Sequence, residues 1–331
     1  MILDKLIAGK TIFIAPLDWG FGHTTRCVPL VKSLAKDNKI IIGVTQKNQL
    51  FFDTLFPGCQ KKMLPSYNIS YSVILPVWLK ILMQWPRIDA VIKSEKKVLE
   101  KIIFEEKVDV VISDNRFGLY NKNVNSIFVT HQLKLKAPFG NGFANHLNKK
   151  YIHNFTEVWV PDYENESERL SGELSDSGEI KIPVKYVGPL SIFEKTNNNT
   201  DTIKYDYLFL LSGEEPQRGI LEKLLCEKFR ETDKKMMLVR GVENDMTFTP
   251  NNFEIKNFCF SDELKNLILQ SETIICRSGY STLMDVHVLE KKKLILIPTP
   301  GQTEQEYLAK FWSRKFGARV VLQHQIFGEK F

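Results

Sequence analysis

Cysteine is scarce in this sequence, and its distribution excludes two kinds of covalent stabilisation. There are five cysteines among 331 residues, and no two of them form a C-x-x-C pair. They are scattered and odd in number, which argues against both a disulfide framework and a zinc site. This usage is typical of a protein from a reducing compartment.

Long hydrophobic runs are also missing. The most apolar stretch, residues 72–85, is too short to span a bilayer and is interrupted by Pro76 and Lys80. Near the N-terminus, Asp4 and Lys5 stand where an export signal needs an apolar segment. The sequence therefore predicts a cytoplasmic protein, with peripheral contact at the inner face of the membrane as an alternative.

Neither sign of charge dominates the chain. Its 45 lysines and arginines are interleaved with 39 acidic residues, which gives a net charge of +6 and an isoelectric point of about 8.8. An excess this small excludes the basic stripe of a nucleic-acid-binding protein, so nucleic acid is not expected as a partner. It would suit a phosphorylated substrate or an anionic membrane surface.

Apolar segments rich in β-branched residues alternate with amphipathic ones, which is the pattern of parallel sheets with crossover helices. The predicted strands are residues 11–17, 39–44, 108–112, 126–130, 207–211, 236–239, 273–276 and 294–297. The predicted helices between them include residues 29–36, 88–106, 218–229 and 262–270. Two α/β units of similar size are therefore expected to follow one another.

The polar stretch at residues 194–202 lies near the middle of the chain. We interpret it as a connection between domains, with an ordinary surface loop as the alternative. The predicted domains are residues 1–190 and 191–331.

A glycine loop follows the first predicted strand. Gly20 and Gly22 allow a sharp turn and the close approach of a ligand, and the next helix presents free N–H groups to an anion. Pro29 is expected in the first turn of that helix. The dinucleotide fingerprint needs a third glycine where Thr25 stands, and no acidic ribose ligand follows the second strand. These departures argue against a hydride-transfer enzyme.

His23, at the end of this loop, is the candidate general base. An imidazole can take a proton from an attacking hydroxyl near neutral pH. The alternative is a histidine that only satisfies the loop backbone. Its position at the end of the first strand places it where doubly wound sheets bind their ligands.

Other polar residues follow the neighbouring strands. Asp114, Asn115 and Arg116 come after the strand at 108–112, and His131 follows the strand at 126–130. If the strand at 108–112 pairs with the first strand, Asp114 faces His23 and can orient its imidazole. A turn or capping role for Asp114 is the alternative.

Two segments in the second half share the order strand, glycine-containing loop, helix. They are residues 273–285 and 294–307, and each loop lies beside a helix N-terminus that could hold a diphosphate. Asp285 is expected on the first turn of its helix, where it could accept hydrogen bonds from a ribose diol. Thr282-x-x-Asp285 and Thr303-x-x-Glu306 also fit capping boxes, which is the alternative interpretation.

The motifs near both ends of the chain resemble a known family. Arg277-Ser278-Gly279, Thr282, Asp285 and Gln305-Glu306-Tyr307 resemble the donor site of glycosyltransferase family 28, the MurG-like enzymes. Gly20-Phe21-Gly22-His23 is similar to the N-terminal glycine loop of that family. The middle of the chain shows little resemblance.

This resemblance implies a GT-B fold, with two Rossmann-like doubly wound domains facing a cleft. It also implies a metal-independent, inverting transfer from a nucleotide-sugar donor, with UDP the expected nucleotide and no cofactor. The sequence contains no Asp-x-Asp pair, the metal-binding signature of the other large glycosyltransferase fold. The leaving diphosphate must then be stabilised by helix N-termini, hydroxyls and arginine.

The resemblance also assigns roles to single residues. Asp285 would bind the ribose, Gln305 the donor sugar, and the backbone at Phe260 and Ser261 the base. The other donor-side candidates are Ser212, Gly213, Arg240, Arg277, Ser278, Gly279, Ser281, Thr282, Gln302 and Glu306. The acceptor-side candidates are Gly20, Gly22, Asn115, Arg116 and His131, beside the catalytic pair His23 and Asp114.

The sequence departs from the family pattern at three places. Ser212-Gly213 continues as Glu214-Glu215, and Glu306 replaces a second glutamine, so the donor sugar stays open. The phosphate-binding arginine that the family places after its first domain is not evident, and Arg218 and Arg240 are the candidates to substitute for it.

Other functions fit the same fold. A nucleotide-sugar hydrolase, a non-hydrolysing 2-epimerase and a non-catalytic nucleotide-sugar-binding protein are the alternatives to a transferase. The acceptor is not identified by the sequence, and a lipid-linked acceptor and a polysaccharide are both candidates. Residues 67–87, with Trp78 and Trp85, are expected to form either a lip that contacts membrane or a core helix with its loop.

Overall fold

The computed structural model describes residues 7–70, 77–136, 141–195, 202–242, 252–259 and 261–331. These residues form two compact units, one ending at Leu190 and the other beginning at Ser191. Each unit consists of one parallel sheet and its crossover helices. The prediction of two successive parallel-sheet α/β units is confirmed.

The first unit contains a seven-stranded sheet. Its strands are β1 (Thr11–Pro16), β2 (Lys39–Val44), β3 (Gln60–Met63), β4 (Val110–Asp114), β5 (Asn125–Val129), β6 (Glu157–Val160) and β7 (Val184–Tyr186). Its helices are α1 (Phe21–Leu34), α2 (Gln49–Leu55), α3 (Val77–Glu106) and α4 (Asn141–Ile152). The strand order is β3-β2-β1-β4-β5-β6-β7, so the order reverses between β1 and β4.

The second unit contains a six-stranded sheet. Its strands are β8 (Tyr205–Leu210), β9 (Met236–Val239), β10 (Phe253–Lys256), β11 (Ser271–Cys276), β12 (Leu294–Leu296) and β13 (Arg319–Val320). Its helices are α5 (Gln217–Lys228), α6 (Ser261–Leu269), α7 (Tyr280–Val288) and α8 (Thr303–Phe316). The strand order is β10-β9-β8-β11-β12-β13, so this sheet reverses between β8 and β11.

Strand β1 shows why these apolar segments become central strands. Ile12 and Ile14 pack into the hydrophobic cluster on one face of the sheet, whereas Phe13 and Ala15 pack into the cluster on the other face. Side chains alternate between the two faces of a strand, so a strand that is apolar at every position is stable only between two layers of helices. The continuous apolar pattern of the predicted strands therefore reflects burial on both faces.

Helix α1 differs from its prediction. It begins at Phe21 rather than near Pro29, so Pro29 lies in the third turn and not in the first. Proline inside a helix removes one backbone hydrogen bond. The helix nevertheless continues to Leu34, because Cys27, Leu30, Val31 and Leu34 pack on the sheet.

The strands that were not predicted are short, and most lie at or near the sheet edges. β3 has the sequence QKKM and contains two lysines, and β13 has only two residues. Short, charged edge strands are common because they discourage pairing between molecules, and they carry little of the apolar signal that identifies central strands. β6, β7 and β10, of three or four residues each, were also not predicted.

The segment at residues 67–87 combines buried and exposed side chains. Residues 71–76, like 196–201 of the predicted connection, lie outside the described residues. Tyr67 is buried and Trp85 contacts Tyr151, whereas Leu82 and Met83 on α3 are exposed. Among the described residues, no helix has both the length and the hydropathy needed to cross a membrane.

Candidate active site

The reversal of strand order in the first unit brings the ends of β1 and β4 side by side. Pro16 and Asp114, the last residues of these strands, are register partners. The predicted strand at residues 108–112 therefore does pair with the first strand. The chain leaves β1 through a turn in which Gly20 has a φ of 85°. Glycine adopts this left-handed conformation at little cost, and the turn aims the first turn of α1 at the same sheet edge.

His23 lies on the first turn of α1 and contacts Asp114. Its Nδ1 atom is 3.2 Å from Oδ2 of Asp114. The Asp114 side chain is fully buried, whereas about a fifth of the His23 side chain is exposed. This arrangement, an accessible imidazole backed by a buried carboxylate, is the geometry in which a histidine serves as general base.

Arg26, which was not predicted, joins this pair one turn further along α1. Its Nη2 atom is 2.8 Å from Nδ1 of His23 and also donates to Oδ1 of Asp114. Its Nε atom is 3.3 Å from the other Asp114 oxygen, and Nη1 is 2.8 Å from Nδ1 of His131. The guanidinium therefore links all three side chains, and only 2% of Arg26 is exposed.

The electrostatics of the cluster are dominated by this ion pair. Burial alone would raise the pKa of Asp114, but the charge of Arg26, the interaction with His23 and the hydrogen bonds from both hold that pKa below its usual value. Burial and the nearby carboxylate raise the pKa of the Cys27 thiol, whose sulfur is 3.9 Å from Asp114. Asp114 is therefore ionised and Cys27 protonated at neutral pH.

Nδ1 of His23 has two neighbours that make opposite demands. Arginine can only donate hydrogen bonds, and an ionised carboxylate can only accept them. Nδ1 therefore accepts from Arg26 when it is bare and donates to Asp114 when it is protonated. Both hydrogen bonds recorded for His23 use Nδ1, which leaves Nε2 as the atom directed away from the cluster.

The predicted acceptor-side residues separate into two groups. Gly20, Gly22 and His131 belong to the surroundings of His23, and Asn115 follows Asp114 with a φ of 57°. Arg116 is different, because it is fully buried and its Nε donates to Glu95 at 2.6 Å. Arg116 also donates to the carbonyls of Pro16 and Pro65, so it braces the loops after β1 and β3. These contacts give Arg116 a structural role in this unit, and its acceptor-side role stays a prediction.

The second sheet has its own reversal of strand order, between β8 and β11. Leu210 and Cys276, the last residues of these strands, are register partners. Each strand ends in a glycine loop, Ser212-Gly213 after β8 and Ser278-Gly279 after β11. Gly279 is the N-cap of α7, and no side chain caps this helix. The first turn of α7 therefore presents its backbone N–H groups at the sheet edge, a common site for phosphate.

The hydroxyl side chains of this loop are not equivalent. Ser278 is fully buried, and its Oγ donates to the carbonyl of Gln305 at 2.7 Å. Ser281 and Thr282 are partly buried on the first turn of α7. Ser278 is therefore occupied within the fold, where it joins α8 to the loop.

Asp285 lies on the second turn of α7, not on the first. Because α7 begins at Tyr280 after Gly279, Thr282 is not an N-cap and the capping-box interpretation is wrong. Oδ1 of Asp285 instead accepts from the hydroxyl of Ser191 at 2.6 Å and from the backbone N–H of Ile192 at 3.2 Å. Burial raises the pKa of this carboxyl to about 7, although both hydrogen bonds act in the opposite direction.

Arg277 contributes a buried cation beside the loop. Its guanidinium donates to the carbonyls of Ile297, Pro298 and Gln217 and to the side-chain oxygen of Gln323, at 2.7 to 3.2 Å. None of these acceptors is charged, and burial lowers the pKa of Arg277 to about 10. Among the described residues, no carboxylate is recorded in contact with Arg277, so its positive charge favours an anion nearby.

The loop before α8 is closed on itself. The side chain of Gln305 accepts from the backbone N–H of Thr299 at 2.9 Å and donates to Gln302 at 2.6 Å. Glu306 accepts from the backbone N–H of Gly301 at 3.0 Å. Helix α8 begins at Thr303 with Gln302 as its N-cap, so the second predicted capping box is also wrong.

The two arginines considered as phosphate ligands are already paired. Arg240 makes two hydrogen bonds to the carboxylate of Glu222, at 3.0 and 3.1 Å, and one to Asn257. Arg218 is bonded to the same carboxylate and to Glu215. Both guanidinium groups therefore have an opposite charge beside them within the fold, and a direct donor contact for Arg240 or Arg218 stays a prediction.

The remaining donor-side residues lie near the start of α6. Phe260 is outside the described residues, and Ser261 is the first residue of α6.

Among the described residues, no group of three or more His, Cys, Asp or Glu side chains is arranged to hold a metal ion.

The C-terminal unit is similar to a known domain. Residues 207–331 match the model of the glycosyltransferase family 28 C-terminal domain, which is the half of the chain that carries the Ser278-Gly279 loop. No curated protein sequence matches the chain.

Several solved glycosyltransferases have a similar fold. The calicheamicin glycosyltransferase CalG4 has a TM-score of 0.66 at 14% identity, over 97% of this chain and 87% of that chain. The spinosyn rhamnosyltransferase SpnG complexed with thymidine diphosphate has a TM-score of 0.63 at 10% identity, over 96% and 90%. UGT2 of Phytolacca americana complexed with UDP-2fluoro-glucose and pterostilbene has a TM-score of 0.62 at 13% identity, over 94% and 85%. At these identities the likeness shows the fold alone, two parallel-sheet α/β domains of the GT-B type.

Proposed function

We propose that this protein is an inverting glycosyltransferase that moves a sugar from a nucleoside diphosphate to an acceptor hydroxyl without a metal ion. The observation that carries the proposal is the switch point of the second sheet. There a helix N-terminus without a side-chain cap and two glycine loops lie beside Arg277, a buried cation with no carboxylate among its contacts. Such a site suits the charge of a leaving diphosphate.

The donor would be held by the C-terminal unit. Its diphosphate would lie against the first turn of α7, near Ser281 and Thr282, and its ribose against Asp285. Both hydrogen bonds recorded for Asp285 use Oδ1, so Oδ2 is the oxygen that a ribose hydroxyl would reach. The match of residues 207–331 to the family 28 domain supports this assignment. The thymidine diphosphate and the UDP sugar named with SpnG and UGT2 make TDP and UDP the first nucleotides to test.

The N-terminal unit would supply the base. The acceptor oxygen attacks the anomeric carbon and forms the new glycosidic bond, while the bond from that carbon to the diphosphate oxygen breaks. The proton of the acceptor hydroxyl passes to Nε2 of His23, and the nucleoside diphosphate leaves with the bonding electron pair. A single displacement inverts the configuration of the sugar.

The identity of the acceptor follows from the proposal only as a class. It carries a nucleophilic hydroxyl, and a MurG-like, lipid-linked acceptor is one candidate. The exposed Leu82 and Met83 on α3 would suit contact with a lipid or a membrane surface. A cytoplasmic enzyme with peripheral membrane contact remains our proposal for its location.

The experiment that tests the proposal has two stages. Thermal unfolding is first measured with UDP, TDP, GDP and CDP in the presence of a chelator, since a ligand at 100 times its Kd stabilises the fold by about 2.7 kcal/mol. Release of the nucleotide from the matching sugar donor is then followed with and without candidate acceptors. If none of the four nucleotides shifts the melting temperature, the donor-site assignment is overturned. Nucleotide release that needs no acceptor would identify a hydrolase instead, and conversion of the donor into a different nucleotide sugar would identify an epimerase.

A further inference from the structure

Arg26 occupies the centre of the charged cluster in the first unit. It lies three residues after His23 on α1, so the two side chains project from the same face of the helix. The guanidinium reaches both oxygens of Asp114, Nδ1 of His23 and Nδ1 of His131 at the same time. A buried arginine in contact with three ionisable side chains is expected to do more than pack the interior.

In the described part of the chain, the recorded contacts of the cluster join five titratable side chains. Helix α1 contributes His23, Arg26 and Cys27, strand β4 contributes Asp114, and the residue after β5 contributes His131. Cys27 is protonated because burial and Asp114 raise its pKa. His131 presents a bare Nδ1 to the guanidinium, since arginine offers only donors. The recorded contacts of His23 therefore combine one negative charge, Asp114, with one positive charge, Arg26.

The two charges have opposite effects on an imidazole. A carboxylate alone beside His23 would favour the imidazolium, because an opposite charge within about 4 Å stabilises the charged form. A guanidinium at 2.8 Å from Nδ1 disfavours the imidazolium through repulsion, and it offers Nδ1 a donor that only the neutral ring can accept. An imidazole that is already protonated cannot take a proton from an acceptor hydroxyl.

We propose that Arg26 is a positioning residue that keeps His23 uncharged and able to accept a proton, by offsetting Asp114 and competing with it for Nδ1. His131 holds the guanidinium in place through Nη1, whereas Nη2 contacts His23. The role of a base in catalysis rests on the proposed function, but the effect of Arg26 on the ring is a property of the free protein.

The test is a titration of the histidine rings by NMR in the protein without substrates. In Arg26→Gln, the ring of His23 should become protonated at a pH about one unit higher or more, and its neutral form should carry the proton on Nδ1, toward Asp114. Arg26→Lys keeps the positive charge but loses the forked guanidinium group. In this variant the titration of His23 should stay near that of the parent. Arg116→Gln is the matched control, because it also removes a buried arginine from a carboxylate in this unit. It should not move the His23 titration.

A double variant keeps the test conclusive if Arg26→Gln does not fold. Arg26→Gln with Asp114→Asn removes both charges and should bring the His23 titration back toward that of the parent. A His23 titration in Arg26→Gln that is the same as in the parent would overturn the proposal. So would an equal shift in the Arg116→Gln control. In the double variant, a His23 ring that titrates far above the parental pH would do the same.

A rate measurement then links the ring to the reaction. If the protein turns over a nucleotide-sugar donor, the acid limb of kcat/KM should move to higher pH in Arg26→Gln, while the rate above this limb stays at or above the parental rate. A residue that only supported the fold would lower the rate at every pH. If no donor is turned over at all, the proposed function fails, while the NMR result still decides the role of Arg26.

Discussion

The two units share a topology but carry different chemistry at the same place. In each sheet the strand order reverses between the first strand and the fourth. In the first unit a glycine loop follows the first of these strands, and in the second unit a glycine loop follows each of them. At this point the first unit holds a carboxylate, a guanidinium and two imidazoles in mutual contact. The second unit holds hydroxyls, an uncapped helix and a cation whose contacts are all neutral.

The difference shows how one backbone topology carries two different arrangements of charge. Where charges are paired at hydrogen-bond distance, as in Asp114 and Arg26, the site has no excess charge for a ligand and is suited to moving a proton. Where a cation is surrounded by neutral acceptors, as in Arg277, the site keeps a positive potential and is suited to an anion. The functional contrast thus depends on a few side chains and not on the backbone topology.

The largest expected effect separates the two units by function. His23→Gln should lower the turnover of a nucleotide-sugar donor by about 10²- to 10⁴-fold, the usual cost of losing a general base. The melting shift with the nucleotide should not change, because the nucleotide is proposed to bind the other unit. His146→Gln serves as the control, since His146 is an exposed residue of α4. Parental turnover in His23→Gln would mean that the first unit does not supply the base through this residue.

A second prediction concerns the buried carboxyls, whose pKa values are shifted in opposite directions in the two units. The pKa of Asp285 is about 7 in the fold and about 4 in an unfolded chain, so the folded protein holds an extra proton between these pH values. Stability therefore falls as the pH rises through this window. Asp285→Asn should remove this loss, so that the variant is more stable than the parent at pH 8 and equal to it near pH 4.

Thermal melts over this pH range would check the prediction for Asp285. Asparagine can still accept the hydrogen bonds of Ser191 and Ile192, so a loss of stability at pH 8 would show that the carboxyl is ionised there without penalty. The pKa of Asp114 is lowered instead, so its contribution to stability should disappear only as the pH falls below about 4. A chain without this contrast would lose stability at one end of the pH range only.

The smallest expected effect tests the glycine loop of the second unit. Gly279 has a φ of −71°, which alanine adopts, and an added Cβ would meet no heavy atom within 4 Å. Gly279→Ala should therefore leave the melting temperature nearly unchanged but weaken nucleotide binding, because the methyl group stands where the diphosphate would approach α7. Gly317→Ala is the opposite control. Gly317 has a φ of 72° at the end of α8, so alanine there should cost about 1 kcal/mol of stability without affecting the nucleotide.

Most of the central strands of both sheets could be predicted from the sequence, because strands buried on both faces are continuously apolar. The neighbours β1 and β4 followed from the rules of doubly wound sheets, and with them the contact between His23 and Asp114. The edge strands could not be predicted, since β3 and β13 contain lysine or arginine and bury little surface.

The rest of the candidate site depends on contacts that sequence patterns do not encode. Arg26 was missed because the helix was expected to begin near Pro29, which left Arg26 in a loop and hid its spacing from His23. The partners of Asp285 were missed because Ser191 is 94 residues away in the chain. The ion pairs of Arg116 with Glu95 and of Arg240 with Glu222 could not be predicted, because such pairing leaves no trace in the local sequence.

The bond between Asp285 and Ser191 has a consequence for any attempt to study the second half of the molecule by itself. Ser191 and Ile192 are the first residues after the N-terminal unit, and they lie upstream of residues 196–201, where a fragment boundary would naturally be placed. A fragment beginning at residue 202 would retain every strand of the second sheet, yet Asp285 would lose both of its recorded partners. The nucleotide affinity of such a fragment would then report on an altered carboxylate. A fragment that begins at or before Ser191 preserves it.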